Sequence, residues 1–109
     1  MATTYKVLAQ SAPAATTNTD VYTVPAATQA VISTIVVCNR DTVAGTFRIA
    51  VRPAGAAIAN QHYIAYGVTV AASDSTTLTL GITLGATDVI TVYASTANQS
   101  YSIFGSQIA

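Results

Sequence analysis

The chain has 109 residues, of which 51% are apolar and only 7% charged, with four basic and four acidic side chains and a net charge of zero. An average soluble protein of this length would carry about 27 charged side chains. This composition excludes disorder, which needs low hydrophobicity and high net charge. It also argues against nucleic acid as a partner, because Lys6, Arg40, Arg48 and Arg52 are the whole basic supply for displacing phosphate counterions.

One domain of 11.1 kDa is expected to expose roughly 5,600 Å² when folded. Eight charges summing to zero over such a surface give little repulsion between copies, and near-zero net charge favours association. The composition therefore predicts a subunit whose outside is partly covered by other chains. No apolar run approaches the roughly 18 residues of a membrane span. Met1–Lys6 lacks the charged start and apolar stretch of a secretion signal, so synthesis in the cytosol is expected. Cys38 is the only cysteine, and no intrachain disulfide can form.

In chain order, period-two alternation and β-branched residues predict strands near residues 4–9, 20–24, 29–38, 46–52, 62–70, 76–84, 88–95 and 100–104. In Thr46–Arg52, Phe47, Ile49 and Val51 point one way, and Arg48, Ala50 and Arg52 point the other. Val89–Ser95 is apolar on both faces, the pattern of a strand covered on both sides. Ser11–Thr19 reads as a connection, and Pro25 ends a strand because it has no N–H for the ladder. Arg40–Gly45 reads as a loop in which Gly45 supplies a positive φ, and Arg52–Gly55 reads as a turn. Helical periodicity is absent. The fold class expected is all-β, a single antiparallel sandwich of about eight short strands, jelly-roll or immunoglobulin-like. Residues 1–19 form an N-terminal arm or first strand with its connection, and residues 20–109 form the core.

Candidate chemistry is sparse. His62 and Cys38 are the entire supply of strong zinc ligands. Cys38 closes the apolar run Ile35–Val37 and reads as a small buried hydrophobe rather than a nucleophile. Asp20, Asp41, Asp74 and Asp88 fall at loops or strand starts, where a carboxylate accepts hydrogen bonds from nearby backbone N–H groups. No Gly-x-Ser-x-Gly elbow or Asp-rich calcium loop occurs. The reading is therefore no catalytic residue, no metal and no cofactor. In His62-Tyr63-Ile64-Ala65-Tyr66, a regular strand would put Tyr63 and Tyr66 on opposite faces, one inside and one as an interface anchor. The interface candidates are Tyr5, Lys6, Arg40, Arg52, His62, Tyr63 and Tyr66.

Several segments taken together carry a resemblance. They are Tyr5-Lys6-Val7-Leu8 with Ser11-Ala12-Pro13-Ala14-Ala15, then Val21-Tyr22-Thr23-Val24-Pro25 leading to Ile35-Val36-Val37-Cys38-Asn39-Arg40. Phe47 to Gly55, Asn60 to Tyr66, Leu78 to Leu84 and Asp88 to Ala94 complete the set. With these the chain resembles small virion structural proteins of tailed bacteriophages, including phages of cyanobacteria. The resemblance implies a non-enzymatic β-sandwich subunit of the particle, located in the virion. Within that group it implies foremost a capsid decoration (cement) protein, a homo-oligomer with the trimer favoured, seated on the major capsid protein. A tail, neck, baseplate or fibre-attachment protein is the alternative within the class. A carbohydrate-binding host-recognition module is the alternative of another class. Neither nucleic acid nor membrane is an expected partner.

Overall fold

The structure, a computed structural model, describes residues 2–109. Its strands are β1 (Thr3–Ser11), β2 (Thr19–Thr23), β3 (Gln29–Asn39), β4 (Gly45–Arg52), β5 (Tyr63–Val70), β6 (Ser75–Leu78), β7 (Ile82–Leu84), β8 (Val89–Ala94) and β9 (Gln99–Ile108). They follow the expected segments closely. The segment 76–84 divides into β6 and β7 because residues 79–81 leave the ladder, and the last strand runs on to Ile108.

Every strand ladder is antiparallel, and the pairings are nested: β1 with β9, β2 with β8, β3 with β6 and β7, and β4 with β5. A chain paired this way is one long double strand with its tip at the β4–β5 connection. Rolling it up adds the remaining ladders, β9 to β3 and β8 to β4. The two resulting sheets have the orders β1-β9-β3-β6, with β7 also beside β3, and β2-β8-β4-β5. This is a jelly roll, which settles the choice left open by the strand pattern. We call the first the long sheet and the second the short sheet.

Between the sheets, Ile32, Ile35, Val37, Tyr101 and Ile103 of the long sheet meet Phe47, Ile49, Ile90 and Val92 of the short one, all essentially inaccessible to solvent. Alternation along each strand produces this core, since every second side chain faces the opposite sheet. The accessible surface, 5417 Å², is close to the expectation from mass. β8 is buried on both sides, as its double apolar pattern predicts. Its outer side lies under the β4–β5 connection, which folds back through two 3-10 turns, Pro53–Gly55 and Asn60–His62.

A buried polar cluster closes one end of the sandwich. The Asn39 side-chain amide lies 2.9, 3.2 and 3.3 Å from the carbonyl oxygens of Val43, Val70 and Ala71, and its Oδ1 accepts the Asp41 N–H at 3.0 Å. Gln99 donates to the Thr46 carbonyl, and the Tyr101 hydroxyl donates to the Tyr93 carbonyl. Among the described residues no buried side-chain nitrogen or oxygen lacks a partner, so burial here costs little desolvation. Gly45 does not have the expected positive φ. It begins β4 against this cluster, where a Cβ would stand 2.6 Å from Gln99 Nε2.

Candidate interaction surfaces

The two outer faces of the sandwich differ in chemistry. On the long sheet the register sets Tyr5 and Val7 of β1 beside Ser106 and Phe104 of β9. Those in turn stand beside Val31 and Thr34 of β3. Further along, Val36 and Cys38 are flanked by Ser102 and Ser100 on one side and by Thr77 and Ser75 on the other. Among the described residues, no Asp, Lys, Arg or His stands in these outward rows. The face is a mosaic of aliphatic, aromatic and hydroxyl side chains, partly open to water, with Tyr5 83% and Val7 48% exposed. A shallow hollow of about 280 Å³ continues it at the β3–β7 end, lined by Val31, Thr83, Ile108 and neighbours without a titratable group.

Cys38 belongs to this outer face. It is half-buried rather than a core residue, because the inward positions of β3 at this point are Val37 and Asn39. His62 lies in the 3-10 turn over the short sheet, so the two are on opposite sides of the sandwich. Nδ1 of His62 accepts the Ala59 N–H at 3.0 Å.

The outer face of the short sheet carries an aromatic and cationic ladder. Arg48 is stacked between Tyr66 of β5 and Tyr93 of β8, its guanidinium carbon 4.3 and 4.2 Å from the two ring centres. Tyr63 meets Tyr66 edge to face. The expectation that Tyr63 and Tyr66 point to opposite faces is overturned. β5 bulges at Ile64, so Tyr63 pairs with Ala50 and Tyr66 with Arg48, both on the outer side. Gly67, with a φ of 67°, forms a second bulge just after.

The interface candidates thus divide. His62, Tyr63 and Tyr66 come together over the short sheet. Arg52 lies on the same side, bonded to Asp20 at 2.8 Å and to the carbonyls of Gly55 and Ala56, and so holds the β4–β5 connection in place. Arg40 stands at the sandwich end, donating to the Ala97 carbonyl. Tyr5 and Lys6 are on β1, at the edge of the other sheet. Residues 3–11 are paired to β9 along their length, and Ala15 bridges to Ala94, so the expected arm forms a sheet edge within the chain; Met1 lies outside the described residues.

Asp41, Asp74 and Asp88 accept backbone N–H groups, as loop carboxylates do. Asp20 differs, accepting from Arg52 and from the Thr91 hydroxyl. The Asn98 side-chain amide, followed by the Thr42 N–H, holds the Asp41 carboxyl below its ordinary value of 3.8. Burial pushes the Tyr101 phenol well up. Tyr101 adjoins a shallow hollow lined by Gln10, Ser11, Ser100 and Ser102, with no His, Asp or Lys in its lining. Among the described residues, no group of three or more His, Cys, Asp or Glu side chains is arranged to hold a metal. No helix there is long and apolar enough to cross a membrane.

Sequence reasoning did not name Arg48 or Tyr93 among the interface candidates. The alternation of Arg48 with Phe47 and Ile49 shows that it points outward. That it stacks on Tyr93 depends on a cross-strand register separated by 45 residues. The outward row Ser100, Ser102, Phe104 was legible as alternation with Tyr101 and Ile103, but not as part of a face shared with β1 and β3. Comparison with known protein families, with curated proteins and with solved structures gave no match.

Proposed function

We propose that this protein is a non-enzymatic structural subunit of a tailed-phage particle, seated on the capsid shell and associating with copies of itself. The observation that carries the reading is the outer face of the long sheet, whose rows bear no charged side chain among the described residues. Burying such a face against another protein desolvates no ion, and its Ser and Thr hydroxyls can pair with backbone groups of the partner. Exposed apolar side chains grouped on one face, as Tyr5 and Val7 are, favour docking of another protein. The resemblance of the sequence to small virion proteins supplies the particle, and the jelly-roll topology, one used among viral capsid domains, is compatible with it only by analogy of fold.

A glycan-reading role is less well supported. Tyr66 is the exposed aromatic of the short sheet, at 61%, yet its ring already carries the Arg48 guanidinium and the Tyr63 contact. Among the described residues of the short sheet, this stacking leaves no broad aromatic plane open for a sugar ring.

The test is quantitative mass spectrometry of purified virions together with the native mass of the isolated protein. Hundreds of copies per particle and self-association are the expected results for a shell protein. A few dozen copies would move the protein to the tail or neck, and its absence from virions would overturn the reading.

A further inference from the structure

A jelly roll has four sheet edges, and three of them are interrupted here. β2 bulges at Val21, β5 bulges at Ile64 and again at Gly67, and the β6–β7 edge is broken at residues 79–81. Such irregularities are how sheets avoid pairing with other chains. β1 is the exception. Its register against β9 is unbroken from Thr3 to Val7, all five residues are exposed, and its bulge at Leu8 comes only afterwards.

The hydrogen-bond phase of this edge follows from its end. Ala2 and Ala109 exchange both backbone bonds, at 2.7 and 3.0 Å. In an antiparallel ladder such pairs alternate, so Thr4 and Lys6 bond inward to Gln107 and Gly105. The N–H and C=O groups of Thr3, Tyr5 and Val7 then turn to the open edge. We infer that this edge pairs with β1 of a second copy of the chain, antiparallel, about a twofold axis at Tyr5. This rests on the reading of the chain as a self-associating subunit, and not on where in a particle it sits.

Charge selects the occupant and the register. Among its described residues the edge carries one charged side chain, Lys6, and the chain as a whole has no net charge to oppose a second copy. Centring the axis on Lys6 would set two ammonium groups face to face, which like charges directly opposite disfavour. Centring it on Thr4 would pair only Thr3 with Tyr5 among the described residues, with Val7 opposite Met1, which lies outside them. Centred on Tyr5, Thr3 of each copy meets Val7 of the other, and each such narrow pair exchanges two backbone bonds. Thr4 of each copy meets Lys6 of the other, so each ammonium faces a hydroxyl. The two tyrosines, the most exposed large apolar side chains among the described residues, cover one another. The pair joins two long sheets into one and sets their uncharged outer faces side by side. Because the contact is isologous it closes as a dimer rather than the trimer that the resemblance implies.

The experiment is sedimentation equilibrium on the full chain and three variants, with far-UV circular dichroism and thermal melting on each. The wild type is expected to be a monomer–dimer system. Tyr5→Pro removes an N–H that faces the open edge and should abolish the dimer while leaving β1 on its own sheet. Thr4→Asp, which sets a carboxylate opposite each Lys6, should tighten the dimer roughly 2- to 30-fold, and Thr4→Lys should weaken it by a similar factor. A wild type that stays monomeric up to millimolar concentration, or forms a trimer, overturns the inference. So does a Thr4→Asp dimer weaker than the wild type, which would indicate a Thr4-centred register. Thr4 is exposed, so its variants remain informative should Tyr5→Pro unfold. Particles that still incorporate the Thr4→Lys variant at full copy number, with no dimer in solution in any variant, would sink this edge pairing while leaving the virion role standing.

Discussion

Tyr63 and Tyr66 stand edge to face on one side of β5, their ring centres 4.9 Å apart at an interplanar angle of 87°. Three positions apart on a regular strand they would point in opposite directions. The bulge at Ile64 reverses the phase of the strand between them. The consequence is a continuous run of Tyr63, Tyr66, Arg48 and Tyr93 across three strands, where sequence alternation alone leads to two separated tyrosines.

The Arg48 stack is expected to stabilise the fold modestly. A double-mutant cycle of Arg48→Met with Tyr93→Leu, followed by urea unfolding, should give a coupling of about 0.5–1 kcal/mol, typical of an exposed cation–π contact. A coupling near zero would reduce the stack to ordinary side-chain packing.

Tyr101 is expected to govern the alkaline limit of stability. Its phenol is held neutral by burial, so its folded pKa lies above the ordinary value of 10.0. The stabilisation is fully present below that value and is lost as the pH rises toward the folded pKa, because the unfolded chain ionises first. Tyr101→Phe should lower stability at neutral pH by about 1–3 kcal/mol, since the Tyr93 carbonyl and Gln99 Oε1 lose a donor. It should also flatten the fall in melting temperature above pH 10.0. Melting curves across that range decide it, and an unchanged alkaline slope would refute the assignment.

Asp41 should act at the other extreme. Hydrogen bonds lower its folded pKa below 3.8, so the stabilisation is present above that value and disappears as the pH falls through the folded pKa. Asn98→Ala removes the main cause. The melting difference between wild type and this variant is expected to shrink steadily in acid, and a difference that does not vary with pH would mean that Asn98 acts only by packing.

Gly105 is required by a close backbone approach. A Cβ there would collide with the Val31 carbonyl oxygen and lie 3.0 Å from the Ile32 Cα, both part of β3. Backbone cannot yield as a flexible side chain does. Gly105→Ala is expected to cost about 3 kcal/mol or more, at the upper end for overpacking, read as a shift in the urea midpoint. Gly85→Ala, whose nearest neighbour would be Asp88 Oδ2 at 3.7 Å, should change little and serves as the control.

Much of the architecture was legible in local pattern. The alternation of Phe47, Ile49 and Val51 with Arg48 and Arg52 marks β4 and its inward face, and the double apolar pattern of residues 89–94 marks a covered strand. The segment 76–84 reads as one strand because most of its residues suit one; Gly81, at a φ of 61° inside the break, was the local sign that residues 79–81 leave the ladder. Cys38 reads as core because it ends an apolar run, but with Val37 and Asn39 inward its own side chain turns outward.

The sequence by itself determined that this is an all-β chain with almost no charge, because composition and period-two alternation are properties of neighbouring residues. The tertiary structure alone decided the jelly-roll order, the reversal of phase at Ile64, and the gathering of uncharged side chains from β1, β3, β6 and β9 onto one face. Those depend on registers between strands far apart in the chain. A slip of a single residue exchanges the two faces of a strand, and only packing of the whole core selects which register holds.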